Sequence, residues 1–422
     1  MKQVLILLSA LFFLSACSEE EDITLEPTPS SPARRTVIVY MAAENNLSNI
    51  AQLNLTSMIA GRRLAAADEN LVVFVDRASS KELPFLALVT TNEQQPLDTL
   101  YRYEEDFYAS SAQMMTDVLS RAVQLCPATE DYGLVLWGHA NGWIIENDSI
   151  ASTKKRAYGV DSGNNGATLS GKWMNIPSMR EALELLPVKF KFIFADCCNM
   201  ANAEIAYELR NVTEYLIASP AEITGNGAPY GSVVKDFFKH NDKEMYQSLC
   251  DDYYAQKDAA NGHTPLVAIN TSAMEALAAA TRGVLPQIND YITANTTATQ
   301  GMIYYYAWDL SREAEKTLYD MNDMVRSSLG SDATDYANWL ATFRQAVVYS
   351  KTSTYWHANE VNFLDFTTTG RIGGCFLHGD DSFGGMSMFF PMEKYNTVTH
   401  RYNESIKQLA WYYAVGWPEV GW

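Results

Sequence analysis

The chain lacks the marks of several large functional classes. Its 31 Lys and Arg residues are outnumbered by 50 Asp and Glu residues, which gives a formal net charge of −19. Such a surface repels phosphates, so nucleic acid is excluded as a partner, and basic substrates are favoured over acidic ones. The sequence also contains no Gly-rich phosphate loop and no Walker pattern, so a nucleotide-binding enzyme is not indicated.

Cysteine and histidine are both scarce. The six cysteines are Cys17, Cys126, Cys197, Cys198, Cys250 and Cys375. If Cys17 carries a lipid, five remain, and an odd number does not make a disulfide framework; a leftover thiol is a candidate nucleophile. His240, His263, His357 and His400 are scattered without metal-ligand spacing. We therefore predict no metal site of this type and no cofactor.

The N-terminal residues read as an export signal. Lys2 precedes an apolar run over residues 4–13 that is too short for a membrane span. The run ends in Leu14-Ser15-Ala16-Cys17, which resembles the lipobox of bacterial lipoproteins, with acylation at Cys17. We predict a signal peptide over 1–16, the alternative being an ordinary secretory signal with an incidental cysteine.

Residues 17–35 are predicted to form a tether between the lipid and the folded chain. Four consecutive carboxylates over 19–22 resemble the surface-export signal of Bacteroidetes lipoproteins, and Pro27, Pro29 and Pro32 follow among Ser and Thr. This composition is typical of a solvated, semi-rigid linker. The prediction is an extracytoplasmic lipoprotein of the outer membrane or cell surface that contacts the membrane only through its lipid.

Apolar, β-branched runs alternate with segments of helical period in the first half of the chain. The predicted strands are 36–41, 71–76, 134–137, 190–195 and 215–218, and the predicted helices are 50–67, 112–125, 176–186 and 201–209. Such alternation predicts an α/β fold with a mostly parallel sheet covered on both faces. Segment 82–103 is expected to add a strand or a hairpin. We predict one domain over 36–235.

The pattern after residue 235 is less regular. Helical stretches are predicted over 245–256, 273–285 and 335–350, followed by strands over 374–377 and 386–390. We predict an α+β region over 236–422 that packs on the first domain. A monomer is expected.

Two of the predicted strands end in reactive side chains. Strand 134–137 leads into His139, and strand 190–195 leads into Asp196, Cys197 and Cys198. Because the carboxyl ends of parallel strands meet at one edge of a sheet, the imidazole and the thiols are expected to lie close together. A neighbouring imidazole favours the thiolate, and the turn into the next helix offers N–H groups and a dipole that stabilise negative charge.

Several ordered blocks resemble the clostripain family of caspase-like cysteine peptidases. The blocks are MAAENNL at 41–47, WGHANGW at 137–143, DCCNMANAEIAYEL at 196–209, the stretch 219–230 and GGMSMFFP at 384–391. His139 precedes Cys198 by about 60 residues, and caspases have a comparable His-to-Cys spacing of about 50 residues. The resemblance covers most of the chain and implies a caspase-like α/β/α sandwich.

The resemblance also assigns roles to residues. The nucleophile block, Asp-x-Cys, makes Cys198 the nucleophile and Cys197 the variable position, with His139 as its catalytic partner. Backbone N–H groups of Ala140 and Cys198 would form the oxyanion hole; Ala140 stands where the family usually has glycine. Asp196 would select a basic side chain before the scissile bond. Ser219 and Tyr230 belong to a substrate-binding loop.

The expected function is a secreted, lipid-anchored cysteine endopeptidase that cleaves peptides or proteins after Arg or Lys. Relatives can process themselves at a basic residue, so Lys154, Lys155 and Arg156 form a candidate autocleavage site, the alternative being a solvated basic loop. Some family members need calcium, but the sequence has no Asp-rich loop of EF-hand type.

Three alternatives stay open at this point. The first is a second candidate catalytic pair, Cys375 and His378, which are close in sequence. Their spacing on a strand, however, places the two side chains on opposite faces. A surface lipoprotein could keep the fold as a binding or adhesion module without catalysis, which the change to Ala140 allows. The third alternative is a cysteine hydrolase of another class, such as an amidase acting on the cell wall.

Overall fold

The computed structural model describes residues 32–79, 81–145, 157–163, 166, 171–255, 264–294, 297–307, 316–352, 356, 382–396 and 401–422. Its strands are β1 Ala33–Ala43, β2 Asn70–Arg77, β3 Phe85–Val89, β4 Leu97–Arg102, β5 Ala128–Trp137, β6 Tyr158–Asp161, β7 Lys172–Met174, β8 Phe190–Asp196, β9 Thr213–Ala218, β10 Leu266–Asn270, β11 Tyr304–Ala307, β12 Lys316–Asp320, β13 Val347–Lys351 and β14 Ser387–Met388. Its α-helices are α1 Ser48–Arg62, α2 Ala112–Leu125, α3 Ile176–Glu184, α4 Ala203–Glu208, α5 Tyr230–Val233, α6 Asp242–Ala255, α7 Met274–Ala294, α8 Met321–Leu329, α9 Thr334–Ala346, α10 Tyr402–Ser405 and α11 Ala410–Ala414.

Nine of these strands form one sheet in the order β13-β10-β9-β8-β5-β1-β2-β3-β4. The five central strands, from β9 to β2, run parallel. Antiparallel strands complete both edges, with β3 and β4 on one side and β10 and β13 on the other. The strand order reverses between β1 and β5, and open α/β sheets bind their ligands in the crevice at the carboxyl ends beside such a reversal.

Helices cover both faces of the sheet because successive side chains of each buried strand point to opposite sides. On one face Val37 and Val39 of β1 pack in the same core as Leu55 of α1. On the other face Ile38 and Tyr40 pack in the same core as the buried sides of α2, α3 and α7. The result is an α/β/α sandwich with a mostly parallel sheet, so the predicted fold class is confirmed.

The predicted strands and helices of the first half occur close to their expected positions, and segment 82–103 forms the antiparallel pair β3 and β4. The first strand begins at Ala33, earlier than predicted, so the end of the predicted tether at residue 35 is too late. Arg35 explains the difference: its guanidinium is almost fully buried, paired with Asp131, and it donates to the carbonyl of Phe237 at 2.7 Å.

The central sheet extends across the predicted boundary at residue 235. β10 and β13 both follow that boundary in sequence, yet they pair with β9 and with each other. A separate three-stranded sheet, β11-β12-β14, lies with α7 to α9 on the face of α2 and α3. The predicted late strand over 386–390 is present, but as the shorter β14.

Among the described residues, no helix combines the length and the apolar composition needed to cross a membrane. Cys17, the triplet Lys154, Lys155 and Arg156, and the Cys375–His378 pair lie outside the described residues.

Candidate active site

A cavity of about 270 Å³ lies at the carboxyl edge of the parallel strands. The ends of β5 and β8 and the loop after β1 all reach it, as expected for neighbouring parallel strands. The loop after β9 closes it from the side. Its lining residues are Asn46, Leu47, Trp137, Gly138, His139, Asp196, Cys198, Glu222, Ile223, Thr224, Gly225 and Gly227. The structure thus brings His139, Asp196 and Cys198 to one cavity, as the sequence predicted.

His139 follows β5 through a strained turn at Gly138. The φ of Gly138 is +145°, and a Cβ at this position would lie 2.9 Å from the carbonyl oxygen of Ala42. Only glycine fits this conformation and this approach. The imidazole is half-buried, and its Nε2 lies 2.7 Å from Oδ1 of Asn46. Because an amide oxygen only accepts hydrogen bonds, this contact assigns the proton to Nε2 and leaves Nδ1 for exchange with another group.

The two adjacent cysteines point to different environments. Cys197 is fully buried within the core and does not line the cavity. Its burial, with the nearby Cys198 and Asp196, raises the pKa of the Cys197 thiol well above its usual value. Cys198 lines the cavity, and its Sγ accepts a hydrogen bond from the N–H of Ile223 at 3.4 Å. Of the two, only Cys198 is placed to react with a molecule in the cavity.

The chain after Cys198 turns before it becomes helical. Asn199 has a φ of +58°, and its side chain donates to the carbonyl of Pro220 at 2.9 Å. Helix α4 begins at Ala203 and is capped by Asn202, whose side chain accepts from the N–H of Ile205. Cys198 therefore lies in the turn between β8 and α4, as the sequence predicted, but the helix starts further along the chain than expected. The short helix begins too far along the chain for its dipole to act strongly on the thiol, since this effect falls off within the first turn.

Asp196 lies at the end of β8 on the cavity wall and is 3% exposed. Its Oδ2 accepts the N–H of Ala228 at 2.8 Å and the hydroxyl of Tyr230 at 2.7 Å. Burial and the Asp196 charge raise the pKa of Tyr230 well above its usual value, so its hydroxyl stays a donor at neutral pH. Tyr230 and the loop after β9 thus fix the carboxylate from behind.

The other predicted site residues lie around the cavity rather than in it. Ser219 is fully buried, and its Oγ accepts the N–H of Ala221 at 3.1 Å, which shapes the loop after β9. Tyr230 is also buried behind Asp196. Ala140 forms an isolated bridge with Tyr158, but the hydrogen bonds of that bridge belong to the neighbours His139 and Asn141. The N–H of Ala140 therefore takes no part in the hydrogen bonds of this bridge.

Two residues of the cavity were missed by sequence reasoning. Asn46 belongs to the recognised block 41–47, and its amide contacts His139. Glu222 lines the cavity with 4% of its surface exposed, which adds a second carboxylate to that of Asp196. No Lys or Arg is among the lining residues. The position of Asn46 in the loop that follows a parallel strand was a usable signal, whereas Glu222 lies on a loop whose path only the structure gives.

The sequence profile of the clostripain family matches residues 39–422. The chain belongs to the clostripain family. No curated protein matches the chain. A secreted C11 cysteine protease of Bacteroides thetaiotaomicron, solved with an irreversible peptide inhibitor, is 27% identical, with a TM-score of 0.71 over 92% of this chain and 100% of that one.

Two further solved structures are similar. An inactive zymogen C11 protease of Parabacteroides distasonis is 25% identical, with a TM-score of 0.70 over 92% of this chain and 99% of that one. Another secreted C11 cysteine protease of Bacteroides thetaiotaomicron, at 20% identity and a TM-score of 0.71 over 92% of this chain and 100% of that one, supports the fold alone. This clostripain-family member is therefore a cysteine peptidase, and its substrates are peptides or proteins.

Proposed function

We propose that the protein is a lipid-anchored cysteine endopeptidase that cleaves after Arg or Lys with a His139/Cys198 dyad. The observation that carries the proposal is the cavity itself. One thiol, one imidazole and two carboxylates line it, and they come from the strand ends and loops that the fold brings together. Family membership supplies the reaction class, and the cavity supplies the residues.

The dyad would work by covalent catalysis. The Cys198 thiolate attacks the scissile carbonyl, so a C–S bond forms while the C–N bond breaks. His139 gives its proton to the leaving amine and then takes a proton from the water that hydrolyses the thioester. Asn46 holds the ring through Nε2, which leaves Nδ1 for these transfers. The N–H groups of Ala140 and Cys198 are the proposed donors to the oxyanion.

The charges of the cavity support a preference for basic side chains. Asp196 and Glu222 are both almost fully buried, and the lining holds no Lys or Arg. A guanidinium or an ammonium that enters the cavity exchanges its water shell for carboxylate oxygens, whereas an acidic side chain meets like charge. Asp196 is the stronger candidate for the direct pair because Ala228 and Tyr230 fix its orientation.

Anchoring and processing form the remaining part of the proposal. Cys17 is the proposed lipidation site, which places the enzyme at the outer membrane or cell surface. The triplet Lys154, Lys155 and Arg156 matches the proposed specificity and lies between β5 and β6, close in sequence to His139. A zymogen is reported for the similar Parabacteroides protein. We propose that self-cleavage at this triplet activates the enzyme, which intact-mass measurement before and after incubation tests.

Fluorogenic peptides that end in Arg, Lys, Leu or Asp test the central proposal. We expect the wild type to cleave the Arg and Lys peptides, Cys198→Ala to lose activity on them, and Cys197→Ala to retain it. Cleavage that survives in Cys198→Ala would refute the assigned nucleophile, and a preference for Leu or Asp would refute the assigned pocket. Tight peptide binding without turnover by any form, including trypsin-nicked protein, would favour the adhesion module instead.

A further inference from the structure

The residue that follows the proposed nucleophile has an unusual backbone. Asn199 has a φ of +58°, and among the described residues other than glycine only Leu318 also has a positive φ, at +49°. Side chains of L-residues disfavour this left-handed conformation, which Asn tolerates better than most. Such outliers persist only where the surrounding contacts impose them, and they concentrate at functional sites. The fold therefore accepts a conformational cost directly beside Cys198.

The side-chain amide of Asn199 is fully buried. Its Nδ2 donates to the carbonyl oxygen of Pro220 at 2.9 Å and, over a longer distance of 3.4 Å, to that of Tyr305. Two carbonyl oxygens at the same end of the amide establish which end carries the NH₂ group. Oδ1 is buried and accepts no hydrogen bond from the described part of the chain. This half-satisfied amide is a second local cost, and its donor end joins the turn to the loop after β9 and to β11.

The backbone of Asn199 is held on both sides. Its N–H donates to the carbonyl of Ala221 at 3.0 Å, and its carbonyl accepts a hydrogen bond from the side-chain amide of Asn202 at 2.8 Å. The left-handed residue separates Cys198, which lines the cavity, from Met200, which is buried in the core. The conformation of this turn therefore sets the direction in which the thiol leaves the end of β8.

The segment that carries His139 contacts the same turn. Gly142 has a φ of +69°, and a Cβ at this position would lie 3.1 Å from the carbonyl oxygen of Asn199 and 3.5 Å from Cδ1 of Leu318. Three residues with a positive φ, each from a different segment, thus pack against one another. None of them lines the cavity. Because the segments of the imidazole and of the thiol meet at this contact, a shift of the turn changes the distance between the two reactive groups.

We propose that Asn199 is a positioning residue whose left-handed turn fixes Sγ of Cys198 relative to the imidazole of His139. Asn199 does not reach the cavity, so it acts through Cys198 and not on the substrate. The proposal rests on the proposed dyad. It also gives the separate three-stranded sheet a role, since Tyr305 of β11 and Leu318 of β12 support the turn. A displacement of about 1 Å between reacting groups can lower the rate about 100-fold.

Two substitutions at this position separate the backbone conformation from the side chain. Asn199→Gly lacks the amide but adopts a positive φ freely, whereas Asn199→Ala lacks the amide and disfavours that φ. We expect Asn199→Ala to lower kcat roughly tenfold or more with KM within about twofold, and Asn199→Gly to stay within about threefold of the wild type. Asn211→Ala, at an exposed position between α4 and β9, is the control and should match the wild type.

Alkylation of Cys198 by iodoacetamide between pH 5 and pH 9 provides a readout that needs no turnover. A nearby imidazole favours the thiolate, so a displaced thiol should react at higher pH in Asn199→Ala but not in Asn199→Gly. Mass spectrometry of the digested protein measures the rate at Cys198 alone. Should Asn199→Ala not fold, Asn202→Ser perturbs the same turn: it keeps a cap for α4 but removes the amide that holds the carbonyl of Asn199. We expect it to shift both readouts in the same direction.

The outcomes separate this proposal from the proposed function. A wild type without turnover counts against the peptidase account alone, and the alkylation profiles then decide the role of Asn199. A lower Tm in Asn199→Ala with unchanged kcat and an unchanged alkylation profile would overturn the positioning role and leave a structural one. Equal losses of kcat in Asn199→Ala and Asn199→Gly would overturn the assignment to the left-handed backbone.

Discussion

The amide of Asn46 and the imidazole of His139 form a pair that a sequence pattern alone does not reveal. The bond between Oδ1 and Nε2 sets the tautomer and the orientation of the ring. Asn46→Ala is expected to lower kcat about tenfold with little change in KM, less than the roughly 100-fold or greater contribution of a whole acid–base group because the ring is misplaced but not removed. We also expect the pH profile of kcat to shift, because the ring loses its acceptor.

Measurement of kcat and KM between pH 6 and pH 9 checks this prediction, with Asn49→Ala on α1 as the control. An unchanged kcat and pH profile would show that the contact only supports the loop after β1.

The role proposed for the carboxylate of Asp196 is to select a basic side chain, whereas the role proposed for the dyad is catalysis. Asp196→Asn keeps the shape and an oxygen that can accept from Tyr230, but it removes the charge. We expect kcat/KM for Arg and Lys peptides to fall about 100-fold, equivalent to about 2.7 kcal/mol, in the range of a lost charge-assisted hydrogen bond. Hydrolysis of Leu peptides should change much less.

The same peptide series measures this loss of kcat/KM. Tyr230→Phe is the comparison, because it removes the hydrogen-bond donor to Asp196 and keeps the charge of the carboxylate. Equal losses on basic and apolar peptides would place Asp196 in the framework of the site rather than in selection.

Among individual residues, the sequence identified reactive side chains best where they lie at the end of a buried strand. His139, Asp196 and Cys198 could be predicted because each stands at or just after the last residue of a buried run. The buried carboxylates Glu44, Asp76 and Asp161 have one oxygen each within 4.8 Å of the others, and this could not be predicted because they come from the loop after β1, from β2 and from β6 of a separate small sheet. Ser219 is a residue for which sequence reasoning named the right loop and a different role. It was predicted to bind substrate, but its hydroxyl accepts a hydrogen bond that shapes the loop.

At the scale of elements, the turn from β5 into His139 depends on the backbone of Gly138. In Gly138→Ala the added Cβ would meet the carbonyl oxygen of Ala42 at 2.9 Å in a conformation that L-residues avoid. We expect a loss of about 1–3 kcal/mol in the free energy of unfolding together with lower activity, because strain and movement of the loop act on the same ring.

Urea unfolding of Gly138→Ala beside Gly283→Ala checks this. Gly283 lies within α7, and a Cβ there meets nothing within 4 Å. Gly283→Ala is therefore expected to stabilise the protein by about 0.5–1 kcal/mol. Similar effects of the two substitutions would contradict the close approach at Gly138.

Strand and helix types were well predicted because buried parallel strands read as continuous apolar runs, of which β2 and β8 are examples. The ends of these strands and helices were predicted less accurately. β1 starts early because the buried ion pair of Arg35 is a tertiary contact, and α4 starts late because Asn202 provides the cap. β13 was predicted as the end of a helix, since only pairing with β10 ends the helical segment at Ala346.

For the molecule as a whole, buried carboxyl groups make stability depend on pH. Burial raises the pKa of Glu204 to about 8 and that of Asp320 to about 7, and Asp161 behaves likewise. Their pKa values are higher in the folded than in the unfolded chain, so the folded state binds more protons. The stability they contribute is complete below about pH 4 and is lost as the pH rises towards about 8.

Thermal unfolding between pH 5 and pH 8.5 should therefore show a falling Tm. Glu204→Gln should flatten that slope because it removes one of the carboxyl groups with a raised pKa. A Tm that rises steadily over this range would show that these groups are not protonated in the folded state.

The proposed function requires the sandwich to present one reactive thiol beside a pocket for basic side chains. The most direct measurement is labelling with an irreversible peptidyl electrophile that ends in arginine, followed by mass spectrometry of the digested protein. The account predicts one adduct on Cys198, none on the buried Cys197, and little labelling by the matching reagent that ends in aspartate. An adduct on another cysteine, or equal labelling by both reagents, would contradict it.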